Sequence, residues 1–175
     1  AVETRLRKQH DQLQTNLESI PSAVSLFNRD GALELCNSEF GRLLDFPDEL
    51  VQPGATIESM FRFNAERGML GGGDVEENVA KRLYWMRQGT AHSYERVFPN
   101  GRVIELIGNP MPGGGFVMSF TDITAFREAE QALTEANEGL EQRVAERTFE
   151  LSQLNQALTE AKGVAETASQ SKTRF

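Results

Sequence analysis

The chain has 175 residues, of which 39% are hydrophobic, and this composition fits a domain with a core plus an extension and excludes a largely disordered chain. The net charge of −8 at pH 7 argues against a protein that binds nucleic acid or an anionic membrane, because such proteins concentrate basic residues on one face. The single cysteine, Cys36, cannot form an internal disulfide, and no apolar run approaches the roughly 20 residues of a membrane helix, so we expect a cytoplasmic protein without a membrane segment in this chain.

An amphipathic helix is predicted over residues 1–20. Leu6, Leu13, Leu17 and Ile20 recur at helical spacing, and Pro21 disfavours helix at the residue before it. The chain begins without Met and ends in SKTRF without a helix-stop signal. We therefore expect it to be a piece of a longer protein.

Residues 21–122 predict an α+β domain. AVSLF and ALELC flank Asp30-Gly31, which is typical of a hairpin turn, and three strands with Asn100-Gly101 between the first two follow later in the chain. Helical segments lie between the two groups of strands, with Ser38 and Asp74 as predicted N-caps. This order predicts a five-stranded antiparallel sheet with helices on one face. The helical residues expected to point inward are Ile57, Phe61, Val79, Leu83 and Met86.

Residues 123–175 predict a long coiled-coil helix. Apolar residues recur there in alternating steps of four and three, without proline, for about six heptads. A domain of this size cannot cover such a stripe, so we expect a parallel homodimer in which a second copy covers it. Polar residues within the seam either fix its register or are tolerated in a generic coil. The predicted dimer seam comprises Leu133, Asn137, Leu140, Val144, Arg147, Leu151, Leu154 and Leu158.

No pattern in the sequence predicts catalysis. The glycine-rich stretches LGGGD and PGGGF lack the spacing and context of a phosphate-binding loop. The two histidines, His10 and His92, lie in different segments and have no cysteine partner, so we predict no metal site. We expect no catalytic residues, and therefore no enzyme activity, in this chain.

The order of strands and helices, which ends in FTDIT followed by a charged helix, resembles a PAS domain. The resemblance covers about Leu17 to Phe126 and is carried by ESIPSAVSLFNRDGALELCNSEFGRLL and YERVFPNGRVIELIGNPMPGGGFVMSFTDIT. It is similar above all to the PAS domains of bacterial sensor histidine kinases. The later stretch EANEGLEQRVAERTFELSQLNQAL resembles the signalling helix of such kinases, and SKTRF resembles the residues just before their phosphoacceptor-histidine helix.

The resemblance implies a signal junction and a function. Asp122, Ile123 and Thr124 match the D-I-T junction of the family, where the aspartate and threonine tie the last strand to the following helix through polar contacts. The implied function is a sensory and signal-relay dimerisation module of a two-component sensor histidine kinase. Its parent protein would then be an ATP-dependent protein histidine kinase that acts with a response regulator in a phosphorelay.

The resemblance also bears on cofactors. The flavin-binding relatives carry an N-C-R-F-L type motif, and the haem-binding relatives carry a histidine on the long helix before the third strand; the chain has neither. No cofactor is identified, and flavin and haem are disfavoured. An unidentified small organic ligand in an apolar pocket and a filled core remain the two alternatives. The residues predicted to line such a pocket, against the alternative of ordinary packing, are Tyr84, Trp85, Tyr94 and Arg96.

Two other functions fit the same sequence. One is a ligand-free dimerisation module that sets the spacing of output domains, for which no bound small molecule is expected. The other is a sensor that binds a small molecule or cofactor and is attached to a cyclase, since the same type of helix can lead to either output.

Overall fold

A computed structural model describes residues 2–172, and for residues 2–4, 6, 10 and 170–172 it describes the backbone alone. The side chains of Leu6 and His10, and the last residues of the SKTRF ending, therefore lie outside the described part. The chain divides into two compact units between Ala125 and Phe126. The helices and strands, besides one 3-10 turn at Asp48–Leu50, are in order α1 (Val2–Glu18), β1 (Ala23–Phe27), β2 (Leu33–Cys36), α2 (Ser38–Leu44), α3 (Ile57–Glu66), α4 (Val75–Arg87), β3 (His92–Val97), β4 (Val103–Pro110), β5 (Phe116–Asp122) and α5 (Thr124–Lys172).

The five strands form one antiparallel sheet in the order β2-β1-β5-β4-β3. This confirms the predicted α+β class and the five-stranded sheet. Gly31 and Gly101 stand at the two predicted hairpin turns with φ of 79° and 84°. Glycine adopts this left-handed backbone conformation without the steric cost that a Cβ would add.

The core lies between one face of the sheet and the helices that connect β2 to β3. Side chains alternate between the two faces of a strand, and accordingly Ile104 and Leu106 of β4 and Met118 and Phe120 of β5 are buried. The helices supply the other side of this core. Their residues in or packed against the buried clusters include the five predicted to point inward: Ile57, Phe61, Val79, Leu83 and Met86.

The N-cap of α2 differs from the prediction. Asn37 is the cap, and its Oδ1 accepts a hydrogen bond from the backbone N–H of Phe40 at 3.2 Å. Ser38 is instead the first residue of the helix. Asparagine and serine are equally good caps, so the path of the chain out of β2 decides between them. The second predicted cap, Asp74 at the start of α4, is confirmed, because its Oδ1 accepts a hydrogen bond from the N–H of Glu77.

Helix α5 is continuous over 49 residues, which corresponds to about 74 Å at 1.5 Å per residue. Apolar side chains at the predicted seam positions are exposed by 55% to 67%. These side chains are Leu133, Leu140, Val144, Leu151, Leu154 and Leu158. Helix α5 therefore has an apolar stripe that the described part of the chain leaves exposed.

Candidate ligand cavity and signal junction

A cavity of about 300 Å³ lies inside the first unit, within the size range of small-molecule sites. Its lining comes from the core face of the sheet and from the helices of the core. Most of that lining is apolar. It includes methionine side chains such as Met60 and Met118 and six phenylalanine rings: Phe27, Phe40, Phe46, Phe61, Phe98 and Phe120. The cavity can therefore hold an apolar body.

Polar side chains line the cavity as well. Strand β3 contributes His92, Tyr94 and Arg96, which are spaced by two residues and so share one face of the strand. Helix α4 contributes Arg82, and Asn64 and Thr90 are also in the lining. A mostly apolar cavity with a few polar groups is the usual make-up of a ligand site.

Of the four residues that the sequence predicted for a pocket, the structure brings together three. Trp85, Tyr94 and Arg96 line the cavity. Tyr84 is not in the lining; its ring is exposed and meets the Trp85 ring edge-on, at a centroid distance of 5.7 Å. Consecutive residues on a helix point about 100° apart, so Tyr84 and Trp85 do not face the same space.

Four polar lining residues were missed from the sequence, namely Asn64, Arg82, Thr90 and His92. Period-two alternation from Tyr94 and Arg96 also places His92 on their face of β3, and this signal was available. The ring of His92 lies over Gly108, its cross-strand partner, where a Cβ would come within 2.3 Å of the ring. Arg82 carried no signal of its own, because a charged residue within a helix is ordinarily solvated.

The two arginines of the cavity have no carboxylate partner within the part of the chain that the structure describes. Arg96 donates to the hydroxyl of Tyr94 at 3.0 Å, and Arg82 donates to the carbonyl of Leu70 at 3.3 Å. The Nε of Arg82 is buried and has no hydrogen-bond partner within the described chain. Burial lowers the pKa of Arg96; Tyr94 opposes this effect, and the nearby charge of Arg82 adds to it.

A polar network holds the predicted signal junction. The Asp122 carboxylate accepts hydrogen bonds from the Thr124 N–H at 3.0 Å and hydroxyl at 2.5 Å, and it pairs with the Arg102 guanidinium at 2.8 Å. The Thr124 hydroxyl in turn accepts from the Val103 N–H at 2.9 Å. Ile123 donates its N–H to the Val103 carbonyl at 2.9 Å. The end of β5, the first residue of α5 and the start of β4 are thereby joined.

Hydrogen bonds from Thr124 and the charge of Arg102 lower the pKa of Asp122, against a smaller opposing effect of burial. The network therefore favours the ionised carboxylate, which is the form that accepts all of these bonds. Arg102 was not predicted, although it directly precedes the strand whose N–H and carbonyl complete the network.

A second network holds the segment that leads into β1. Asn37, 2% exposed, donates to the carbonyls of Leu17, Ile20 and Ser22 and accepts from the N–H groups of Val24 and Phe40. Next to it, the Glu18 carboxylate accepts from the N–H and hydroxyl of Ser38, and these bonds lower the pKa of Glu18. The end of α1 is thereby attached to the start of α2.

The two networks meet through neighbouring strands. Strands β1 and β5 pair antiparallel, with Ala23 opposite Phe120. Just beyond this pair, the hydroxyls of Ser22 and Thr121 are hydrogen-bonded at 2.9 Å. The segments before β1 and after β5 are therefore tied to the same end of the sheet.

The predicted polar seam residues lie on α5. Arg147 pairs with Glu150 at 3.1 Å, one helical turn further along. Asn137 is exposed, as are the apolar seam residues. Within residues 2–172, no helix is long and apolar enough to cross a membrane. The described residues also contain no group of three or more His, Cys, Asp or Glu side chains placed to hold a metal ion.

These features define an α+β domain in which an antiparallel sheet and the helices on one of its faces enclose a mostly apolar cavity. A family model for the PAS fold matches residues 17–131, and the chain therefore belongs to the PAS family. It carries a PAS sensor domain.

Proteins of known sequence or structure are similar to this chain. The chain is 27% identical over 177 residues to the non-motile and phage-resistance protein of Caulobacter vibrioides. The alignment covers 99% of this chain but only 20% of the length of that protein. The PAS domain of Bordetella pertussis BvgS is similar in structure, with 17% identity, a TM-score of 0.50 and coverage of 75% of this chain and 98% of the other. A phage VqmA-DPO complex matches with 14% identity, a TM-score of 0.50 and coverage of 78% and 63%.

Proposed function

We propose that this chain is the sensory and signal-relay module of a cytoplasmic two-component sensor histidine kinase, and that it dimerises through a parallel coiled coil of α5. The observation that carries the proposal is an uncovered heptad seam on a continuous helix that starts directly at the Asp122–Thr124 network. Sensory input in the PAS domain and a helix able to pair with its copy are joined there without a linker.

The seam supports pairing of two chains because the burial of exposed leucine side chains against a second helix is favourable. Burial of one leucine side chain is worth about 1.5–3 kcal/mol, and four of the exposed seam residues between Leu140 and Leu158 are leucines. PAS domains commonly dimerise. A second copy presents the same seam and forms a symmetric pair without further chain types.

The junction supports a relay. Its hydrogen bonds fix the first turn of α5 to β4 and β5, the two strands that supply Leu106, Met118 and Phe120 to the cavity. A ligand that prefers one packing of the sheet shifts the population of the corresponding helix packing by its differential affinity. Coupling of about 1–3 kcal/mol is enough to change the output several-fold. The cavity also favours a ligand sensor over a ligand-free spacer.

Pairing and its direction are tested by cysteine cross-linking. In a Cys36→Ser background, Leu154→Cys places a thiol on the seam, and Gln156→Cys places a matched thiol on the outer face of the same turn. We expect oxidation to link two chains through position 154 and not through position 156, because only a parallel, in-register pair brings identical seam residues together. Equal cross-linking at both positions, or none at 154, contradicts the parallel coiled coil.

The kinase output is tested on the parent protein. We expect the purified parent to transfer phosphate from ATP to its own histidine and then to a response regulator. The same preparation with Asp122→Asn is expected to remain a kinase whose activity no longer responds to the input. A parent protein that is not labelled by ATP, or that forms a cyclic nucleotide, overturns the kinase assignment and leaves the cyclase alternative.

A further inference from the structure

Among the described residues, the polar lining of the cavity carries two positive charges and no negative one. Arg82 and Arg96 come from different elements, α4 and β3, and line the same space. Within the described residues, no aspartate or glutamate contributes to the lining. The remaining polar groups, Asn64, Thr90, His92 and Tyr94, include no carboxylate to balance the charge.

Arginines without an anionic partner among the described residues are costly in such a place. Arg82 and Arg96 are half-buried, and a half-buried cation loses part of its hydration. An opposite charge offsets that loss more fully than bonds to neutral groups or the contact of Arg96 with the Tyr94 ring, whose centroid lies 5.4 Å away. The bonds that Arg82 and Arg96 make to Leu70 and Tyr94 are to neutral oxygens, and the Nε of Arg82 has no partner in the described chain. The guanidinium fork matches a carboxylate through two parallel hydrogen bonds. The arrangement is therefore complementary to an anion.

The rest of the cavity defines the body of this anion. About 300 Å³ corresponds to the liquid volume of about ten water molecules, and hence to a molecule of about ten non-hydrogen atoms. The phenylalanine rings that line this space include Phe40, which packs against Phe46 and Phe120 with centroids 5.4 Å and 5.8 Å apart. Such a surface favours an apolar body, aromatic or aliphatic.

We propose that the cavity binds a small organic monocarboxylate whose apolar body lies among the phenylalanine rings and whose carboxylate pairs with Arg96 and Arg82. This proposal names the chemical class of ligand for the proposed sensor. It rests on the proposed function only for the claim that binding changes the output. Binding itself requires neither a kinase nor helix pairing, so a failed relay and a failed ligand site give different results.

The fluorescence of Trp85 can be used to measure ligand binding. Trp85 lines the cavity while 63% exposed, and it is the only tryptophan in the sequence. Its fluorescence therefore reports occupancy without a label. The probes are phenylacetate and octanoate, whose bodies differ but whose carboxylates are the same, together with phenylacetamide, which replaces the charged head by a neutral one of similar size. Titrations are made in a buffer that contains neither carboxylate nor phosphate.

We expect saturable binding of phenylacetate, octanoate or both, and at least tenfold weaker binding of phenylacetamide. The stronger of the two carboxylates identifies the body as aromatic or aliphatic. Arg96→Met and Arg82→Met should each weaken carboxylate binding about ten- to hundredfold, as expected for the loss of a charged hydrogen bond. Arg96→Lys should fall between the wild type and Arg96→Met, because lysine keeps the charge but not the fork.

The matched control is Arg87→Met, on the same helix as Arg82 but exposed and outside the lining, which should leave binding unchanged. Equal affinity for phenylacetamide and phenylacetate, or no binding of either carboxylate, overturns the proposal. Phenyl phosphate that binds while both carboxylates fail would also overturn the choice of carboxylate. Should a variant fail to fold by circular dichroism, the comparison of charged and neutral probes on the wild-type chain still decides.

Discussion

The PAS domain and helix α5 differ in how far their apolar side chains are buried. Both carry many large apolar residues, but the domain covers its own, with Phe27, Phe40 and Ile104 at most 1% exposed. Helix α5 leaves leucines such as Leu151 and Leu158 more than half exposed. A sheet with helices folded onto one face is a complete core, whereas a lone helix has an apolar stripe and nothing to cover it. The comparison shows which part of the described chain covers its own apolar side chains and which part leaves them exposed.

The largest expected effect falls on the helix. Leu151→Asp together with Leu158→Asp places charges on the seam, and we expect the dimer to dissociate, because a buried, unpaired carboxylate costs far more than a leucine contributes. The measurement is the mass in solution by light scattering, which should fall from twice 19.5 kDa to 19.5 kDa. Ser152→Asp with Thr159→Asp, which has the same spacing and charge off the seam, should remain a dimer. A dimer that survives the seam substitutions contradicts the coiled coil.

The next largest effect falls on the core of the PAS domain. Phe40→Ala removes a ring that packs against Phe46 and Phe120, and we expect the free energy of unfolding to fall by about 3–5 kcal/mol. Trp85 fluorescence in a urea titration measures it. Phe149→Ala on α5 removes the same ring from an exposed site off the seam and should change the unfolding of the domain by less than about 0.5 kcal/mol. Equal losses for the two variants would contradict the contrast between a buried core in the PAS domain and an exposed ring on α5.

A smaller effect is expected where α1 joins the domain. Asn37→Ala removes five hydrogen bonds and leaves buried backbone groups such as the carbonyl of Ser22 and the N–H of Val24 without partners. We expect a loss of about 2–3 kcal/mol in unfolding free energy. Ser38→Ala, which removes an exposed hydroxyl bond to Glu18, should cost less than about 1 kcal/mol. A larger loss for Ser38→Ala than for Asn37→Ala would contradict the assigned cap.

The smallest effect on stability, and one that depends on pH, is expected at the start of α5. Asp122 is partly exposed, so Asp122→Asn should cost less than about 1 kcal/mol at pH 7. Its pKa is lowered in the folded protein, so its contribution is present above the ordinary aspartate pKa of about 4 and is lost as the pH falls through the lowered value.

The difference between wild type and Asp122→Asn should therefore vanish toward pH 2, as measured by urea unfolding at several pH values. A difference between wild type and Asp122→Asn that stays constant to pH 2 would exclude the carboxylate as the group that holds the junction.

Much of the domain was predictable because its signals are local. Strand alternation and the glycine turns at Gly31 and Gly101 predict the sheet, and Asp74 marks the start of α4. The cap at Asn37 was not predicted, because Asn37 and Ser38 are adjacent residues with the same preference. The choice between them depends on contacts with Leu17 and Val24, which are distant in sequence.

The candidate site was less predictable than the fold. Tyr94 and Arg96 follow from the alternation of β3, as His92 does. The inclusion of Arg82, and the exclusion of Tyr84, depend on how α4 is rotated against the sheet. Rotation of a helix is set by its packing partners, and its weak apolar stripe gives little indication of them in the sequence. The Arg102–Asp122 pair likewise joins residues 20 apart that only the sheet brings together.

The antiparallel pairing of β1 with β5, with Ala23 opposite Phe120, gives the PAS domain a property of evolutionary interest. The chain enters and leaves the fold at adjacent points, so the domain can be inserted into a longer polypeptide, duplicated or removed while its flanking segments change little in separation. Recombination could in this way exchange one such domain for another with a different pocket while the segments on either side stay the same.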